Sequence, residues 1–460
     1  MRNRDRPGQP LTRPGGPLGR WIHGERDLLV GIVIVFASFW LFQRAPIQEP
    51  YDSRYAMLLA ENLSQHGDFA LDRYGLQEPD YRLQRIDGHV YYSFPPGTSV
   101  LSAPFVALLR LRGMSAVRAN GTYSNAGELR LDAKLSALLM ALFAAVAYFT
   151  ARCRLPIGWS LAVALVATLG TQVFSTTSRS MWSDTWGILL VGVALLLLLQ
   201  SATRRAPLNA WLTGSLLGVA YIVRPTNALA LVGTALYLVW MGRAELGRFL
   251  GAVSGWLALL VAYSWHHFHT LLPDYFAAGR LTFENVPAAL FGTLLSPARG
   301  LFVYVPALGA IAILLLAYRR TLRQRRLAGL AAFVIAFHLV VLSGFSHWWG
   351  GYSYGARLTA GLVPWFVLLG VLALDAARAA AGERRSRAVA LTIGATSVLL
   401  CLGSIAINSI GAFSSDAARW NSVPKDIDAA PERLWSWRHA QFLAPFEEPS
   451  PPRLTPPPPP

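Results

Sequence analysis

Residues 388–410 read AVALTIGATSVLLCLGSIAINSI, a run of 23 positions without one charged side chain. As a helix, such a run is longer than the roughly 30 Å hydrocarbon core of a bilayer. Arg384, Arg385 and Arg387 stand directly before it, a basic flank of the kind that cytoplasmic loops carry. A chain with this pattern is expected to cross a membrane as an α-helix, because in lipid only a helix or a closed barrel satisfies its own backbone.

Ten further apolar runs, uncharged but for Asp184 at the start of one, lie N-terminal to it, at about 28–43, 135–151, 157–175, 184–200, 208–223, 226–241, 249–265, 301–317, 327–345 and 358–374. The expected fold is an all-α polytopic membrane protein with about 11 transmembrane helices. Composition agrees. Of 460 residues, 53% are hydrophobic and 14% charged, where soluble chains carry about a quarter charged. The two cysteines, Cys153 and Cys401, are too few for a disulfide framework or a cysteine-rich metal site.

The net charge of +16 is topological. With eleven crossings and the N-terminus inside, the cytoplasmic segments hold 21 arginines, and the short loops on the other side hold only Arg179, Arg224 and Arg357. That asymmetry satisfies the positive-inside rule and removes nucleic acid as the reason for the charge. The apolar stretch 94–109 would reverse every later loop if it crossed, so it is expected as a helix packed on the outer surface. The first run follows a basic segment without a small-residue cleavage site, which fits a retained signal anchor. Residues 1–27 are expected as a disordered cytoplasmic tail and 28–413 as the transmembrane domain. Within the latter, the outer loop 46–131 forms a helical outer-face cap. Residues 414–460 are an extracytoplasmic tail, proline-rich and disordered from about 449.

Charges at span ends that topology leaves unexplained gather on the outer side: Glu49, Asp52, Asp184, Arg299, His347 and Arg357, with His266, His267 and His269. Ionisable groups there are candidates for function. Each has a simpler counterpart. Glu49 and Asp52 also suit a solvated turn, Asp184 suits a helix cap, and Trp348, Trp349, Tyr352 and Tyr354 suit an interfacial belt. Arg357, set among Gly350, Gly351 and Gly355, is a charged fork suited to a phosphate. Adjacent histidines are poorly spaced to ligate one metal from a helix.

Four stretches carry a family resemblance: Tyr51-Asp52-Ser53-Arg54-Tyr55 and, after Gly67-Asp68, Tyr91-Tyr92-Ser93-Phe94-Pro95-Pro96-Gly97-Thr98-Ser99, then residues 295–304 around Arg299, then Trp348 to Arg357. Together with Leu434-Trp435-Ser436-Trp437-Arg438, they resemble membrane-embedded glycosyltransferases of the GT-C superfamily. The bacterial branch similar to protein O-mannosyltransferases and to the aminoarabinose transferase of lipid A is nearest. The resemblance implies inverting transfer of a sugar from a polyprenyl-phosphate donor to a glycan, lipid or protein acceptor, at the outer face of the plasma (inner) membrane. It implies Asp52 as catalytic base, Glu49 or Asp184 as auxiliary acid, and Arg357 and Arg299 on the donor phosphate. Tyr55, Tyr92, His347, Tyr352 and Tyr354 are then expected to contact substrate. The family's common Asp-Glu pair is Asp52-Ser53 here, so a divalent metal stays open and no other cofactor is implied. Two other classes compete: a transporter or flippase of lipid-linked sugars, and a polysaccharide polymerase or ligase.

Overall fold

A computed structural model describes residues 24–49, 51–77, 79–204, 207–380 and 387–447. The tails expected to be disordered, apart from residues 24–27, lie outside these residues. All eleven apolar runs are mainly helical, several of them interrupted: a long apolar stretch offers few polar side chains to compete for its backbone hydrogen bonds.

The described elements begin with α1 (Glu25–Arg44), then α2 (Ala56–His66), the hairpin β1 (Leu83–Ile86) and β2 (His89–Tyr92), and α3 (Gly97–Arg110). Next come α4 (Asn125–Arg152), α5 (Ile157–Leu169), a π-helical turn at Val173–Thr177, α6 (Ser183–Arg204), α7 (Ala210–Val223), α8 (Ala228–Val239) and α9 (Arg243–Phe268). The rest is α10 (Val286–Leu295), α11 (Leu301–Tyr304), α12 (Ala307–Ala317), α13 (Arg325–Ser343), α14 (Val363–Ala379), α15 (Arg387–Phe413) and α16 (Ser415–Arg419).

Six of these are long and apolar enough to cross a membrane: α4, α6, α9, α13, α14 with its leading turn from Arg357, and α15. The other apolar runs are α1 and shorter pieces. With 14 residues, α7 reaches only about 21 Å. The run 301–317 is broken at Pro306 into α11 and α12, because proline cannot donate into the helix ladder. Of the six, α15 is the least covered by the rest of the chain and α14 the most.

The segment between α1 and α4 holds α2, α3 and a 3-10 turn at Asp72–Tyr74, joined by long irregular stretches and by one hairpin that the helical expectation left out. Its turn is Asp87-Gly88, with φ of 50° and 86°, the left-handed pair that a tight hairpin requires and that Asp-Gly supplies. The stretch 94–109 is the body of α3, packed on α2. Glu128, at the start of α4, fixes this segment to the bundle. Its Oε1 accepts from the backbone N–H of Met57 (2.9 Å) and Leu58 (3.2 Å), and its Oε2 from Tyr55 N–H (3.0 Å) and Tyr123 OH (2.5 Å). A carboxylate at a helix N-terminus answers both the open N–H groups and the helix dipole.

Candidate active site

Residues that follow α1 and α9, that open α3 and α6, and that precede α14 meet at one end of the helix bundle. They line a narrow cleft whose walls include Asp52, Ser53, Tyr92, Phe94, Thr98, Trp182, Tyr275 and Arg357. Asp52 lies in the turn between α1 and α2, just before Tyr55, which takes a left-handed φ of 74°. That conformation is strained for a tyrosine, and the Glu128 bond to its N–H holds it.

The Asp52 carboxylate is one-third exposed and makes two side-chain bonds: Arg357 Nη2 donates to Oδ2 at 2.7 Å, and Tyr81 OH donates to Oδ1 at 3.0 Å. Its carbonyl accepts from Tyr92 OH at 2.9 Å. Burial raises the Asp52 pKa, but Arg357 and Tyr81 outweigh burial and hold the carboxyl below its usual range. Arg357 is buried. Its guanidinium lies 3.5 Å from the centre of the Trp182 ring, and Nη1 donates to Gly350 O at 3.3 Å. The loop that presents it turns through left-handed Gly350, Gly351 and Gly355. At Gly355 a Cβ would also stand 2.3 Å from the Tyr304 ring.

Of the expected site residues, Asp52, Tyr92 and Arg357 line the cleft together. Tyr55 sits behind them, its OH donating to Asp80 at 3.2 Å. Glu49 is 2% exposed and does not line the cleft; one of its carboxylate oxygens has no partner among the described residues. Burial raises its pKa to about 7 against the opposing pull of Arg357, Arg299 and Arg179.

The remaining candidates are engaged elsewhere. Asp184 is paired with Arg224. Arg299 is 2% exposed and makes five donor bonds, to Trp349 O, Ala298 O, Gln441 Oε1, Gly351 O and Asn421 Oδ1. It ties residues 414–447 beneath the loop that carries Arg357. Tyr354 OH donates to Ile407 O at 2.7 Å, and Tyr352 OH donates to Asp426. His347 is exposed beside Trp349, with ring centres 4.8 Å apart. His269 bonds Asp87, and among the described residues no three metal-ligating side chains converge.

Trp182, Tyr81, Tyr275 and Glu128 escaped the sequence reading. None stands out by charge pattern or spacing. The hairpin that carries Tyr92 did have a signal, the Asp87-Gly88 turn. No family model matches the sequence, and no curated protein matches it.

Proposed function

We propose that the protein is an inverting glycosyltransferase of the GT-C type, which takes a sugar from a polyprenyl-phosphate donor and passes it to a glycan, lipid or protein acceptor. The observation that carries this reading is the Asp52–Arg357 pair at the mouth of one cleft. Two sequence stretches that carry the resemblance, 51–55 and 91–99, and the end of a third at Arg357, supply that cleft, although some 305 positions separate Asp52 from Arg357.

In the proposed reaction the acceptor oxygen attacks the anomeric carbon from the face opposite the phosphate. The new C–O bond forms as the bond to the phosphate oxygen breaks, and polyprenyl phosphate leaves with the bonding electrons. The acceptor's proton passes to Asp52, which its low pKa keeps ionised at neutral pH. Arg357 meets the charge that grows on the leaving phosphate. As the phosphate takes Arg357, the Asp52 oxygen that the guanidinium held becomes free to accept.

The cleft then faces outward at the plasma membrane, with eleven crossings, a cytoplasmic N-terminus and the segment before α4 as an outer cap. A flippase would place its substrate near the midplane on broken helices; here the paired charges stand at the bundle's end. The test is incubation of purified protein with radiolabelled polyprenyl-phosphate sugars and a membrane extract. Label should move to an acceptor with release of polyprenyl phosphate, and the Asp52→Asn protein should fail to move it. Movement of intact donor between leaflets, without transfer, would sink the reading.

A further inference from the structure

Arg357 leans twice on the loop 349–355 that leads into it. Its backbone N–H donates to Gly355 O at 2.9 Å, and its Nη1 donates to Gly350 O at 3.3 Å. The loop itself is irregular and carries three left-handed glycines, the residue that leaves a backbone most free. What fixes it comes from the segment 414–447. Gln441 is fully buried, and both lone pairs of its carbonyl and both hydrogens of its amide are used. Oε1 accepts from Gly355 N–H at 3.0 Å and from Arg299 Nη1, while Nε2 donates to Ser353 O and to Ala417 O, each at 3.0 Å. Arg299 takes the other end of the loop. Its Nε and Nη2 donate to Trp349 O and Gly351 O, the carbonyls on either side of Gly350, and Nη2 also reaches Asn421. Asp428 and Asp426, from the same segment, accept from Trp349 Nε1 and Tyr352 OH.

Both supports of Arg357, Gly350 and Gly355, are therefore bracketed by bonds from Arg299 and Gln441, and these two side chains bond each other. Arg299 is buried with all five donors on neutral oxygens. A buried guanidinium without a carboxylate in contact costs stability, so its place there calls for a task, and holding a loop's carbonyls in one arrangement suits its rigid fork. We propose that Gln441 and Arg299 are positioning residues, which through the loop set where the Arg357 guanidinium stands relative to Asp52. Neither lines the cleft. Segment 414–447 is then a part of the site. The inference rests on the glycosyl-transfer reading for what Arg357 does to a substrate, while the placement of Arg357 against Asp52 has a readout of its own.

The test uses the full chain in nanodiscs, with Gln441→Met and Arg299→Lys. Both substitutions keep the charge: methionine fills the space without the four bonds, and lysine has three donors where arginine has five. A change in the titration of Asp52 then reports geometry and not an added or removed charge. In the parent, burial raises the Asp52 carboxyl, and Arg357, Tyr81 and Arg82 bring it below its usual range. A guanidinium that wanders loses part of that hold, so the Asp52 midpoint should rise by about 0.5 or more on the pH scale in both variants, short of the rise in Arg357→Ala. Infrared difference titration reads it, the Asp52 band being the one that Asp52→Asn removes. The acid limb of the pH profile for sugar transfer should move up with the midpoint, and turnover per folded molecule at neutral pH should fall about tenfold to a hundredfold, the scale of a catalytic group displaced by about 1 Å. A midpoint does not depend on how much protein is folded, so a merely structural role would lower the melting temperature and leave the midpoint alone. If Gln441→Met does not fold, Arg299→Lys carries the comparison. A parental midpoint in the folded variants would overturn the inference and leave glycosyl transfer intact. Raised midpoints with no sugar transfer by the parent would support the placement and overturn the glycosyl-transfer reading.

Discussion

Arg357 Nη2 and Asp52 Oδ2 stand 2.7 Å apart, a contact between side chains separated by 305 positions of sequence. The arginine is stacked on Trp182 and anchored to Gly350, so its charge is fixed in place while the carboxylate keeps one-third of its surface open to the cleft. A rigid cation beside an accessible carboxylate gives the two groups different tasks.

In the proposed transfer Asp52 accepts the acceptor's proton. Asp52→Asn keeps the size of the side chain and its capacity to accept from Tyr81, so fold and donor affinity should persist. Turnover should fall by about 10²- to 10⁴-fold, the usual range for loss of a general base. Single-turnover kinetics at saturating donor check this, and a parental rate would exclude Asp52 as the base.

Arg357→Ala should lower turnover by about 10²- to 10³-fold, the effect of removing one positioned donor. Arg357→Lys should recover only part of it, because an ammonium keeps the charge but loses the planar stack on Trp182 and the second prong. Full activity in the lysine variant would reduce Arg357 to a structural charge.

Glu49 links stability to pH. Burial raises its pKa from 4.5 to about 7, so the folded protein holds this proton more tightly than the unfolded chain does. Its stabilising contribution is therefore complete below about pH 4.5 and is lost as pH rises through 7. Glu49→Gln, uncharged throughout, should flatten that decline when melting temperature is followed from pH 4.5 to 8 in detergent. Parallel curves for parent and variant would disprove it.

Glu128→Gln should destabilise the fold by about 1–3 kcal/mol, because an amide cannot accept at both ends from the N–H groups that Glu128 now satisfies. The melting temperature should drop. Activity per folded molecule should drop with it, since the same carboxylate holds Tyr55 and the turn that carries Asp52. A variant with parental melting temperature would remove Glu128 from its capping role.

Orientation has its own test. A phosphatase fused at Gly113 should be active and one fused at Gln324 inactive. The reverse pattern would overturn this orientation: either the whole chain is inverted and the cleft is cytoplasmic, or 94–109 crosses.

Local physics wrote the helices into the sequence. Whether residues 388–410 or 184–200 form helix depends on their own apolar side chains and on a backbone that must bond to itself in lipid, so every apolar run was legible as helix. Asp52 and Arg357 were legible too, because each is a charge in a place that topology does not explain. Which charges meet is a different matter. Arg299 and Arg357 look alike in sequence, yet Arg299 spends five donor bonds on the chain while Arg357 faces a cleft. Asp184, buried in the first turn of α6, is reached by Arg224, whereas Asp52, one-third exposed at the cleft, is reached by Arg357. Trp182 acquires its place under Arg357, and Glu128 its place beneath α2, only when segments distant in sequence pack together. A hydrogen bond is decided by geometry within about 3 Å, and for these residues the partners come from elsewhere in the chain.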